Sequence, residues 1–191
     1  MSQLSKEIKS DFPIFEGSDL VYLDNAATTQ KPQSVLDSIN SSYTESNANV
    51  HRALYSLGAK ATEKYEGARK KISAFIGANS SKEIIFTSGA TESLNLLAYS
   101  LGNDINPDDE ILISEMEHHS NIIPWQQLAK RTSSIIRYIP VTDDGELDLR
   151  QPDRLFNVKT KIVSITHISN VLGTINPIKK ISSLANKCGA V

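Results

Sequence analysis

EILISEMEHHSNIIPWQ, residues 110–126, joins a short apolar run, a polar turn and a helix start in one stretch. Ile111-Leu112-Ile113 is a compact apolar run of strand type, and Asn121 and Pro124 then open a helix. The same unit recurs on either side. Upstream, EIIFT (83–87) leads into a helix carrying Leu94, Leu97, Ala98 and Leu101 that ends near Gly102. Downstream come SIIRYIPV (134–141), a short helix near Pro152 to Phe156, and KIVSITHI (161–168). A last helix from Pro177 places Ile178, Ile181, Leu184, Ala185 and Cys188 on one face. Short apolar runs alternating with amphipathic helices predict an α/β fold with a mostly parallel sheet flanked by helices. The final Gly-Ala-Val reads as a turn and the first residue of a further strand, so the chain is expected to stop within a unit.

The amino-terminal part has a different texture. DLVYLDNAATT (19–29) reads as a strand ending in a turn, and Pro32 opens a helix with Val35, Leu36, Ile39 and Tyr43 on its apolar face. Leu57, Ala61, Tyr65, Ala68, Ile72 and Phe75 recur every three or four residues and predict a longer helix stopped by Gly77. No repeat, low-complexity tract or linker divides the chain, which predicts an arm over 1–20 and one continuous domain over 21–191.

Composition excludes several function classes. A net charge of −2 without a basic run argues against nucleic acid as a partner. No apolar run approaches the roughly 20 residues that cross a bilayer, which argues against a membrane. One cysteine forms no internal disulfide and the polar start is unlike a secretory signal, so a cytoplasmic location is expected.

In open α/β sheets ligands sit at the carboxyl ends of the strands, so the residues after each run are the candidates. Thr87-Ser88-Gly89-Ala90-Thr91-Glu92 opens a helix, whose N–H groups and hydroxyls could hold an anion such as a phosphate. The plainer reading is that Ser88 caps the helix and Gly89 turns the chain. The stretch is neither a dinucleotide fingerprint nor a P-loop. Of the adjacent His118 and His119, one can enter a site while the other leaves it. Such an imidazole could stack on a ring, move a proton, bind metal or be structural, and the spacing lacks the HExxH of a zinc site. Asn170 offers a donor amide, or else an Asx-type turn before Gly173. Ala26 and Ala27 lie in a small-residue turn where backbone can approach a ligand, and His51 and Arg52 supply an imidazole and a cation. An isolated Arg52 is also the pattern of a solvated surface charge.

The series YLDNAATTQKP (22–32), NVHRALYSLGAKATEKYEGARKKI (49–72), FTSGATESLN (86–95), EMEHHSNIIPWQ (115–126) and THISNVLGTINP (166–177) resembles the Suf-type (group II) cysteine desulfurases. These are aminotransferase class V members with the fold-type I pyridoxal-phosphate architecture, and the resemblance runs from about Phe12 to Val191. It implies pyridoxal 5′-phosphate as cofactor, with Ala90 and Thr91 at the phosphate, His118 on the pyridine ring and Asn170 beside the phenolic oxygen. Ala26, Ala27, His51 and Arg52 then match the substrate side. Many Suf-type members carry Arg-Gly-Thr-Thr where Ser88-Gly89-Ala90-Thr91 stands here, a form that resembles group I instead.

The resemblance further implies a homodimer that converts L-cysteine to L-alanine and passes persulfide sulfur to a Suf-system acceptor for iron-sulfur cluster assembly. Only the amino-terminal half is matched, so the chain is expected to stop before the aspartate at the pyridine nitrogen and the Schiff-base lysine. The family's nucleophilic cysteine and carboxylate-binding arginine also belong to later segments, so no catalytic residue and no metal ligand is assigned, and this chain alone is expected to be inactive. Cys188, in the apolar stripe of the last helix, reads as core. The rival readings are another class V enzyme, such as a selenocysteine lyase or a kynureninase-like protein, and a non-catalytic binding or dimerising module.

Overall fold

The structure, a computed structural model, describes residues 3–52 and 54–191, which fall into two compact units dividing after Phe86. The first unit holds α1 (Gln3–Ser10), α2 (Gln33–Glu45) and α3 (Ser56–Ile76). α3 ends where its periodicity predicts: Gly77 adopts φ +72°, and its N–H and that of Ala78 close the last turn onto Ala74 and Ser73 carbonyls. α2 forms as expected, but none of its residues is buried, and Val35, Leu36, Ile39 and Tyr43 are exposed.

Two strand expectations fail in this unit. DLVYL and EIIF make no ladder among the described residues. Tyr22 instead uses its hydroxyl to bond the Thr28 carbonyl at 2.7 Å, closing a local turn. In EIIF only Ile84 is buried, while Ile85 is 71% exposed. A strand is defined by its hydrogen-bonded partner as much as by its own residues, and no described segment pairs with either stretch.

The second unit is α/β, in chain order α4 (Ala90–Leu101), β1 (Glu110–Ser114), α5 (Ile123–Thr132), β2 (Ile135–Ile139), α6 (Pro152–Leu155), β3 (Thr160–Ser164) and α7 (Ile178–Lys187). The strands form a parallel sheet in the order β2-β1-β3, with Ile111 opposite Ile136 on one side and Ile162 on the other. All five β1 residues are buried. Successive side chains leave a strand on opposite faces, so Ile111 and Ile113 join Ala98, Trp125, Leu128 and Ile162, while Leu112 joins Ile139, Leu155, Phe156, Ile181 and Ala185. Burial of each large apolar side chain contributes about 1.5–3 kcal/mol, so β1 is held by helices on both faces.

At the amino edge of the sheet, buried Glu110 accepts from Arg137 at 2.9 Å and from Asn157 at 2.8 Å, joining the start of β1 to the middle of β2 and to the turn before β3. After α7, Gly189 takes φ +77° and Val191 exchanges backbone bonds with β3, donating to the Lys161 carbonyl and accepting from the Val163 N–H. This agrees with the strand start expected of Gly-Ala-Val. Cys188 is half-buried against the core, its thiol directed at the Ala185 carbonyl.

Candidate functional site

Because the strands are parallel, the residues that follow β1 and β3 leave the sheet at the same carboxyl edge, on neighbouring strands. His118 follows β1 and Asn170 follows β3. α4 packs against the 3-10 turn His119–Asn121, so the helix that begins at Ala90 is a neighbour of the β1 exit.

His118 caps that turn, and its geometry fixes the imidazole. The Ser120 N–H donates to His118 Nδ1 at 3.1 Å, and the Ser120 hydroxyl lies 2.9 Å from the same nitrogen. A nitrogen that accepts from a backbone N–H carries a lone pair, so in the neutral ring the proton resides on Nε2. The ring is exposed, and His119 stands edge-on to it at 85° with centroids 6.2 Å apart. His118 is the extended cap residue and His119 the first residue of the 3-10 turn, so the two rings meet at the start of that turn.

The α4 start is organised differently from the expected serine cap. Gly89 is the cap residue and supplies no side chain, while Ser88 donates both its N–H and its hydroxyl to Glu92 Oε2, each at 2.6 Å. These bonds, the hydroxyl's first, hold the Glu92 carboxyl below its ordinary value. A glutamate in the first turn also complements the positive helix end. The first N–H groups of α4, those of Ala90 and Thr91 included, have no acceptor within the helix, so they remain donors for an anion.

Asn170 is exposed and its amide makes no hydrogen bond among the described residues. The turn before Gly173 is closed instead by Ser169, whose hydroxyl accepts from Leu172 at 3.1 Å and whose carbonyl accepts from Gly173 at 2.9 Å. Ser169, not Asn170, performs the Asx-like task, which leaves the amide available as a donor.

Sequence reasoning missed Glu117. It is 8% exposed, and its carboxylate accepts from the Ser114 hydroxyl at 2.5 Å, the Asn121 amide at 2.7 Å and the Thr166 N–H at 2.9 and 3.1 Å. Asn121 Oδ1 in turn accepts from Trp125 Nε1 at 2.8 Å and from Ser164 at 2.6 Å. Ser114 and Asn121 are near in sequence, but the donor that ties Glu117 to the chain after β3, Thr166, lies 49 residues away and leaves no local signal.

The other candidates belong to the first unit. Ala26 and Ala27 are exposed in a turn closed by the Ala27 and Thr28 N–H groups on the Asp24 carbonyl. His51 sits at φ +70°, its N–H bonded to Thr62 Oγ1 at 3.0 Å and its Nε2 2.7 Å from Glu66 Oε1. Tyr65 meets the ring edge-on at 5.6 Å. Arg69 approaches the same glutamate at 3.5 Å and lies over the Tyr65 and Phe86 rings. Arg52 is exposed and makes no contact of its own among the described residues, so its guanidinium is open to solvent. Among the described residues no His, Cys, Asp or Glu cluster fits a metal ion, and no helix is long and apolar enough to cross a membrane.

Residues 21–191 match the aminotransferase class-V family. Over 190 residues the chain is 50% identical to a Halalkalibacterium halodurans protein described as "Probable cysteine desulfurase", covering 97% of this chain and 47% of that protein. It is 46% identical to a cysteine desulfurase of Synechococcus elongatus, covering 96% of this chain and 30% of that one. Among solved structures, apo cysteine desulfurase from Thermococcus onnurineus aligns with a TM-score of 0.92 at 35% identity, over 100% of this chain and 47% of that one. The chain thus spans about half, or less, of the length of the curated relatives it matches.

Proposed function

The chain belongs to the aminotransferase class-V family, and from that premise we propose that it supplies the cofactor and substrate-side residues of a pyridoxal-phosphate-dependent cysteine desulfurase. The observation that carries the reading is a fixed imidazole and an uncommitted amide at the exits of adjacent parallel strands, in a chain half identical to such a relative.

The groups present suit the parts of pyridoxal phosphate. The Ala90 and Thr91 N–H groups and the Thr91 hydroxyl would donate to the phosphate, whose charge the helix end favours. His118 would hold the pyridine ring with its imidazole, whose Nδ1 is satisfied by Ser120. Asn170 would donate its amide to the phenolic oxygen. The family resemblance assigns His51, Arg52, Ala26 and Ala27 to recognition of the substrate, with Arg52 contributing positive charge. Pyridoxal phosphate, when bound, supplies the electron sink for breaking bonds at an amino-acid substrate.

On this reading the whole protein is a cytoplasmic homodimer whose large domain begins near residue 21 after an amino-terminal arm. It converts L-cysteine to L-alanine, transferring the sulfur to an enzyme thiolate as persulfide and then to a Suf-system acceptor for iron-sulfur cluster assembly.

The test is alanine formation from L-cysteine by the full-length protein supplied with pyridoxal phosphate. Stoichiometric alanine, with at least a tenfold loss in His118→Ala, supports the reading. A full-length protein that binds the cofactor but leaves L-cysteine intact overturns the desulfurase assignment.

A further inference from the structure

Glu117 carries a carboxylate buried at the carboxyl edge of the sheet with no ion-pair partner among the described residues, an arrangement that costs free energy unless every lone pair finds a donor. The three donors it finds come from three places: Ser114 at the end of β1, Asn121 in the turn after it and Thr166 beyond the end of β3. An apolar side chain would fill the same space without joining these segments.

The bonds enclose His118. The carboxylate of Glu117 and the amide of Asn121 meet at 2.7 Å across the intervening turn, while the Asn121 N–H donates to the His118 carbonyl at 2.7 Å. His118 is thereby bracketed by side chain on one side and main chain on the other, with Ser120 orienting its ring. Through Thr166 the same carboxylate fixes the departure of the β3 chain toward Asn170, and Asn121 adds a second link across the sheet to the Ser164 carbonyl and hydroxyl.

We propose that Glu117 is a positioning residue that sets the His118 imidazole and the Asn170-bearing loop relative to each other, so that ring and amide address one bound pyridoxal phosphate. The proposal rests on the cofactor reading above. Glu117 touches neither cofactor nor substrate; it acts through Asn121, Thr166 and the His118 backbone. Glutamine at this position keeps the volume but offers one acceptor oxygen for donors that now use two.

The test uses the full-length protein, freed of carbonyl cofactor and titrated with pyridoxamine 5′-phosphate, which binds without a covalent link to the protein. Glu117→Gln is expected to weaken that binding by about tenfold, the scale of one well-placed hydrogen bond. Nitrogen-15 spectra of the neutral His118 ring are expected to change from a single Nε2–H tautomer to a mixture. Ile181→Ala, which destabilises the core on the other face of the sheet, serves as the control and is expected to change neither. If Glu117→Gln leaves both readouts unchanged, or shifts them no more than Ile181→Ala does, the positioning role is overturned. Should Glu117→Gln fail to fold, Ser114→Ala removes one donor alone, and an unaltered His118 spectrum in that variant overturns the role. A wild-type protein that does not bind pyridoxamine phosphate defeats the cofactor reading, and the ring spectra then decide the role of Glu117 by themselves.

Discussion

Glu66 Oε1 lies 2.7 Å from His51 Nε2, and the histidine it holds is in the left-handed backbone region at φ +70°. That conformation costs a side-chain-bearing residue about 1–2 kcal/mol, and an exposed charge-assisted contact returns at most about 1 kcal/mol. His51→Ala retains the backbone cost and loses the contact, whereas His51→Gly loses the contact and removes the cost. Thermal denaturation is expected to rank the glycine variant above the alanine variant by about 1 kcal/mol. The reverse order would mean that the loop relaxes out of the left-handed region once the imidazole is gone.

The Glu92 carboxyl is held below its ordinary value of 4.5 first by the Ser88 hydroxyl and then by the Ser88 N–H. A depressed carboxyl contributes stability above its unfolded value and loses it as pH falls through the folded one. In Ser88→Ala the backbone bond persists and the hydroxyl bond does not. Carbon-13 titration of the Glu92 carboxyl is therefore expected to move its midpoint up, part of the way back to 4.5.

Asp148 faces Arg150 through two side-chain bonds of 2.8 and 2.6 Å, and these lower its carboxyl from 3.8 to about 2. Whatever this pair contributes is present above 3.8 and is lost as pH falls through about 2. Arg150→Gln is expected to bring the Asp148 midpoint back toward 3.8, measured by the same carboxyl titration, with little change in stability at neutral pH because the pair is at the surface.

Gly102 follows α4, and a methyl group added there would collide with Leu128 Cδ1, a side chain with no exposed surface. Gly102→Ala is expected to cost about 1–3 kcal/mol by overpacking, seen as a lower denaturation midpoint. The double variant with Leu128→Val is expected to recover part of that loss, since the added and deleted carbon atoms occupy the same space.

The parallel sheet was legible because its signals are local: Ile111-Leu112-Ile113 and Ile162-Val163 are short apolar runs between helices whose periodicity is plain. The positions of His118 and Asn170 follow from the same reading, since each stands just beyond such a run. DLVYL and EIIF carry equal strand character, yet whether they pair depends on a partner that their own residues do not name. The Glu117 clasp and the Glu66 contact were invisible for a related reason. Thr166 and His51 are distant in the chain from the glutamates they meet, and a glutamate beside histidines looks the same in sequence whether its donors converge on it or water does.

Trp125 is the sole tryptophan of the chain, 1% exposed, and its indole N–H ends on the amide that also grips Glu117. The molecule therefore contains its own optical reporter for the carboxyl edge of the sheet. Any event that loosens Asn121 would let water reach this indole and shift its emission to the red, with no label attached.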